Sequence, residues 1–192
     1  MTRFLQLRIL ADFQHLSLCY ANQNVLAPGF PTMSAYQVTP FVERLVRLAG
    51  EGAHSAACSL YLLDTSKKSL HPSVVIGLPE AYVKAWGAVA VGTQCCGRAV
   101  AHAKPWIVSD MLSDPLFADA RKAAETTPIR AAFSVPVIAA DGEVLGSLAC
   151  HYKKPYTASE NDIERNQIFA QLIAYALTQD QHPQVETAIA AD

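Results

Sequence analysis

Charge is scarce in this chain. Only 17% of its 192 residues are Asp, Glu, Lys or Arg, with a net charge of −2 and a pI near 6.3. Without a basic run, nucleic acid and anionic membrane surfaces are not expected partners. Long apolar runs are also missing. Residues 3–22 are rich in apolar side chains, but Gln6, Arg8, Asp12, Gln14 and His15 interrupt them. No small-residue cleavage pattern follows, so the segment reads as an amphipathic helix and not as a signal peptide or a membrane span. Cysteine is confined to Cys19, Cys58, Cys95, Cys96 and Cys150, an odd count without regular spacing. That pattern fits reduced thiols and a cytoplasmic location better than a disulfide framework. No phosphate loop, HExxH motif, Ser-His-Asp arrangement, repeat or low-complexity tract is found.

Apolar residues make up 51% of the chain, enough for one full core at this length. The breaker-rich connector Ala27-Pro28-Gly29-Phe30-Pro31 divides it into a helical extension and connector over 1–32, a folded domain over 33–180 and a disordered tail over 181–192. Within the domain, Thr39 and Pro40 open a helix whose apolar spacing is Phe41, Leu45 and Leu48. Strands are expected at 57–63 and 70–76 around an Asp64-Thr65-Ser66-Lys67 turn. A short helix follows Gly77-Leu78-Pro79 through Trp86, then a strand over 89–92, a helix over 94–103 and a strand over 106–110. Residues 114–124 form a helix or a partly helical loop. A T-x-x-E box at Thr157 and Glu160 starts a long helix with Ile163, Phe169, Leu172, Ile173, Ala176 and Leu177 along its apolar stripe.

Residues 129–156 read as two strands joined by a tight Asp141-Gly142 turn. Strand side chains alternate between faces. One face carries Phe133, Val135, Val137, Leu148, Cys150 and Tyr152; the other carries Ala132, Ser134, Pro136, Ser147, Ala149 and His151. The first is bulky enough to fill a core. The second is small and mildly polar, leaving room for something to sit on it.

The order of these elements and their punctuation resembles the GAF family of small-molecule sensor domains, over about residues 39 to 179. The matching residues are Ala57-Cys58-Ser59-Leu60-Tyr61-Leu62-Leu63-Asp64, Gly77-Leu78-Pro79, Val91-Gly92 and Cys96-Gly97-Arg98-Ala99. They continue through Pro105-Trp106-Ile107-Val108-Ser109-Asp110, Asp114-Pro115-Leu116-Phe117-Ala118, Ser134-Val135-Pro136-Val137 and Leu145-Gly146-Ser147-Leu148-Ala149. The resemblance implies an α/β (α+β) sandwich. A mostly antiparallel sheet packs one face on the first and last helices, and a helix-and-loop roof leaves a pocket over the other. Ala132, Ser134, Ser147, Ala149 and His151 would face that pocket.

The cyclic-nucleotide signature of the family has Phe117 and Asp119 here but lacks its asparagine, lysine and final glutamate. Phytochromes share the Ala149-Cys150-His151 run, but the roof over 114–127 has no bilin-attachment cysteine. Neither a cyclic nucleotide nor covalent bilin is therefore expected, and the cofactor stays open. Free-methionine sulfoxide reductases have a cysteine beside the glycine matched by Gly97, but their catalytic thiol falls where this chain has Leu116-Phe117-Ala118-Asp119.

The candidate ligand-binding residues are Ser134, Ser147, His151, Cys96, Gly97, Trp106, Asp110 and Phe117. His151 is a hydrogen-bonding group for a ligand, a metal or haem ligand, or a strand histidine bonded to backbone or water near the sheet end. The helix start over 92–97 offers backbone amides to a small anion such as nitrate, or to a carboxylate. Cys95 and Cys96 share that start, where the helix dipole favours thiolate, or they are packing residues. Asp110, Asp114 and Asp119 form a loose acidic cluster that Arg130 can pair with. The expected function is a cytoplasmic sensor module that binds a small molecule or anion and signals through helices, as a homodimer or to a signalling partner. The alternatives are a non-catalytic subunit of a larger complex and a thiol redox sensor or reductase using Cys95 and Cys96.

Overall fold

The computed structural model describes residues 36–64, 66–125 and 127–179. The extension expected over 1–32 and the tail over 181–192 lie outside these residues. A six-stranded antiparallel sheet forms the centre of the domain, in the order β3-β2-β1-β6-β5-β4.

Helix α1 (Pro40–Gly52) begins as expected: the Val42 amide donates to Thr39 Oγ1 at 3.4 Å, and Pro40 sits in the first turn. Its buried face differs from the expected one. Val42, Leu45, Val46 and Ala49 turn inward, whereas Phe41 is 48% exposed. Apolar residues on neighbouring faces left two registers open to the pattern, and the sheet selects the more continuous one.

Strands β1 (Ala57–Leu63) and β2 (Ser69–Ile76) are joined by a turn built on Asp64. Its carboxylate accepts from Ser69 Oγ at 2.8 Å, from Ser66 Oγ and from the Lys68 amide. Next come α2 (Glu80–Trp86), β3 (Val89–Ala90), α3 (Gln94–His102) and β4 (Trp106–Val108). The roof segment is a 3-10 helix (Pro115–Ala120) running into α4 (Arg121–Glu125).

The hairpin β5 (Ala131–Ile138) and β6 (Val144–Tyr152) shows the expected difference between its faces. Phe133, Val135, Val137, Leu148, Cys150 and Tyr152 join Cys58, Leu60 and Leu62 in the main core. The connection is longer than a two-residue turn. The Gly142 amide donates to Ala139 O at 2.9 Å, the Ala139 amide donates to Glu143 O, and only Gly142 takes a positive φ (91°). This is a turn followed by a glycine bulge, so Asp141 needs no left-handed conformation; its Oδ1 accepts from the Glu143 amide instead.

Helix α5 (Glu160–Gln179) starts two residues later than the expected box requires. Ser159 and Asp162 exchange the reciprocal bonds: the Asp162 amide donates to Ser159 Oγ at 3.2 Å, and the Ser159 amide donates to Asp162 Oδ2 at 3.0 Å. Thr157 Oγ1 instead donates to Ser109 Oγ. A short acid and a serine close the box as well as the longer pair does. Ala170, Ile173, Ala174 and Leu177 face the core, while Leu172 is exposed. A Cβ at Gly52 would lie 3.1 Å from Arg165. The end of α1 therefore meets the start of α5, and the two helices run antiparallel beneath the bulky sheet face.

Candidate functional site

The small sheet face is mostly occupied by α3. Gly97 allows the contact: a Cβ there would sit 2.2 Å from the Ala90 carbonyl oxygen, and Gly97 O accepts from the Gly92 amide. Cys96 Sγ lies 3.4 Å from Ser134 Oγ, and Ser147 Oγ donates to Val135 O. Ser134 and Ser147 are both fully buried. The room read on this face thus accommodates a helix, and Ser134, Ser147 and Gly97 are not among the residues lining the cavity beside it.

A narrow cavity of about 20 Å³ lies toward the α2 side, lined by Tyr61, Tyr82, Trp86, Val89, Gln94, Cys95, Cys96, Met111, Phe117, Ala132 and His151. It has room for one or two water-sized groups. Of the eight candidate residues, His151, Cys96 and Phe117 line it. Trp106 stacks on His102 at a ring separation of 5.2 Å, and the Arg98 guanidinium lies over its ring at 5.6 Å. Asp110 is held by Arg130 at 2.7 Å. That hydrogen bond keeps the carboxyl below its ordinary range, against the opposing effect of burial. Asp114 caps the 3-10 helix by accepting from the Leu116 amide, and the side chain of Asp119 is outside the described set. Among the described residues no three His, Cys, Asp or Glu side chains could hold a metal ion.

The cavity walls that the sequence reading missed are chiefly aromatic. Tyr82 and Trp86 sit one turn apart on α2, with ring centroids 5.6 Å apart, and Phe117 lies 5.8 Å from Trp86. Tyr61 faces Ser147 across the β1–β6 pairing. Strand alternation placed it on the small face beside Ser59, a signal available in the sequence. Tyr82 and Trp86 carried a helical i, i+4 spacing but no sign of which layer they would roof.

His151 is 5% exposed. Its Nε2 lies 2.9 Å from Ser59 Oγ, and its Nδ1 has no partner. Burial alone lowers its pKa from the ordinary value to about 4, so the ring is neutral at pH 7. The Ser59–His151 contact lacks a third group to orient the ring, and Ser59 is not among the lining residues, so it is no nucleophile–base pair. Trp86 Nε1 is likewise buried without a partner.

The first turn of α3, Gln94 to Cys96, also borders the cavity. Thr93 at the cap position makes no side-chain bond to that turn; its hydroxyl donates to Ala90 O. The leading amides of a helix have no intrahelical acceptor. The thiols there are not activated: burial pushes both Cys95 and Cys96 up, overriding the helix dipole. The arrangement can therefore offer N–H donors to a compact acceptor, but no reactive thiolate.

The family model for the GAF domain matches residues 38–177, and the chain belongs to that family. It is 28% identical over 147 residues, 76% of its length, to a methyl sulfide methyltransferase-associated sensor from Methanosarcina acetivorans, of which it spans only 14%. The fold is similar to the GAF domain of a phosphoenolpyruvate-protein phosphotransferase from Coxiella burnetii: TM-score 0.60, 19% identity, 75% of this chain and 86% of that one. It is also similar to a free methionine-R-sulfoxide reductase from Neisseria meningitidis, solved with its substrate: TM-score 0.55, 17% identity, 77% and 96%. No helix among the described residues is long and apolar enough to cross a membrane.

Proposed function

We propose that the chain is a cytoplasmic sensor module that takes a compact anion or small polar molecule into the Trp86–His151 cavity and signals occupancy through helix contacts. One observation carries the reading. Residues from two separate elements line one cavity: Trp86 of α2, whose buried Nε1 has no partner, and Gln94 to Cys96 in the first turn of α3, which Thr93 does not cap with its side chain. A buried donor left unpaired costs about 1–3 kcal/mol, so an occupant that accepts from these groups returns stability. The kinship with a protein named as a sensor supports the signalling half.

The output surface is a stripe on α5, Ile168, Leu172 and Tyr175, each at least 44% exposed, with Phe41 of α1 also exposed. A second copy of this chain is the proposed partner for the stripe. The narrowness of the cavity favours one other reading, a non-catalytic subunit whose pocket has closed.

A thermal-shift screen with formate and formamide, the smallest probes of this class, separates the two. A bound ligand raises the melting temperature with concentration. The sensor reading expects at least one compound to do so in the wild type and in Trp106→Phe, and to lose most of its effect in Trp86→Phe. If none moves the wild type, the closed-pocket subunit is the better account.

A further inference from the structure

We propose that the cavity takes up a compact monoanion, a carboxylate or an oxoanion, together with one proton that settles on His151. The inference rests on the sensor reading above and goes further by assigning the charge balance of binding. Trp86 lines the cavity and its buried Nε1 has no partner, and the first turn of α3, whose dipole end favours negative charge, borders the same space, so an acceptor ligand suits it. Yet no Lys or Arg is among the lining residues. An anion buried without a counter-charge is expensive.

His151 is the group able to supply that charge. It lines the cavity, is 5% exposed, and keeps Nδ1 free while Nε2 engages Ser59. With a proton on each nitrogen, Nε2–H donates to Ser59 Oγ and Nδ1–H is available to the anion. The cost that burial imposes on the imidazolium falls when a negative charge shares the space, so each partner raises the other's affinity.

The other titratable groups lining this space are Tyr61 from β1, Tyr82 from α2, and Cys95 and Cys96 from α3. Burial raises all four, which keeps them neutral near pH 7. Asp114 lies close enough to Cys95 to push that thiol further up. Strand β5 contributes Ala132 and the roof contributes Met111 and Phe117; Asp110 and Arg130 satisfy each other. His151 is therefore the residue on which the proton belongs.

Formate and formamide test this on the full chain, because both have three heavy atoms and differ in charge. Calorimetric titration is run from pH 5.0 to 7.5, with two buffers of different ionisation enthalpy at each pH. The expected result is that formate binds at least about tenfold more tightly than formamide. Its affinity should rise toward tenfold per unit fall in pH, with close to one proton taken from buffer per formate bound. His151→Gln should bind formate with no pH slope. Should that variant fail to fold, imidazole nitrogen shifts of His151 in the wild type replace it, with formate expected to convert the ring to the doubly protonated form.

Formate affinity that does not vary with pH, a slope that survives in His151→Gln, or formamide binding as tightly as formate each overturns the inference and leaves the sensor reading standing. No binding of either probe, with only water at Trp86, overturns both.

Discussion

Ser59 Oγ and His151 Nε2 meet at 2.9 Å beneath the cavity floor, and this one contact decides which face of the imidazole is left for a ligand. The two residues come from adjacent strands and share the small face of the sheet, since His151 pairs with Ala57 and Ser59 with Ala149. The contact fixes the ring, and the unpaired Nδ1 is its consequence.

The buried neutral ring makes stability depend on pH. The folded pKa of about 4 lies below the ordinary 6.5, so the unfolded chain binds the proton more readily between those values. Stability should fall as the pH drops from about 6.5 toward 4, by up to about 3 kcal/mol from this group. Urea unfolding at pH 7 and pH 4.5 measures the loss. His151→Gln should lose less over the same interval, and an equal loss in both would remove His151 as the cause.

Gly97 should tolerate no side chain. Its Cβ would meet the Ala90 carbonyl, a backbone atom that cannot swing away. Gly97→Ala is expected to cost about 1–3 kcal/mol and to lower the melting temperature. An unchanged melting temperature would mean that α3 packs less tightly on β3 than described.

The four described cysteines should be inert. All are buried, and burial pushes Cys58 up to about 12 and Cys150 up to about 11, with Cys95 and Cys96 also raised. In a Cys19→Ser background, an aromatic disulfide reagent at pH 7.5 should release no chromophore until denaturant is added. Rapid reaction of one or two thiols in the native protein would revive the redox reading.

The exposed stripe on α5 should hold two copies together. Sedimentation velocity at micromolar concentration is expected to give a dimer for the wild type. Leu172→Glu combined with Tyr175→Glu should give a monomer with unchanged melting behaviour, because both side chains already face solvent. A monomeric wild type would end this proposal.

The order of the elements and the two faces of the hairpin were legible because alternation in β5 and β6 and the breakers at Gly77-Leu78-Pro79 and Pro105 act locally. The occupant of the small face was not. Ser134, Ser147 and Ala149 signal free space, but a ligand and a close-packed helix use such space equally well. Gly97 held the clue, as a glycine one turn inside a helix needs a reason, and here the reason is the β3 backbone. Tyr82 and Trp86 were read only as part of a short helix, because the docking of α2 over the sheet end depends on contacts far apart in sequence. The shift of the capping box from Thr157 to Ser159 has a local cause: two overlapping patterns, two residues apart, competed for one helix start.

The most direct test of the central claim follows the Trp86 indole N–H by nitrogen–proton NMR while formate is added at pH 6. Trp106, stacked on His102 and not among the lining residues, is the internal control. A saturable shift and slowed solvent exchange at Trp86, with Trp106 unmoved, is the result this account predicts. Equal small shifts at both indoles, or none at either, would contradict it.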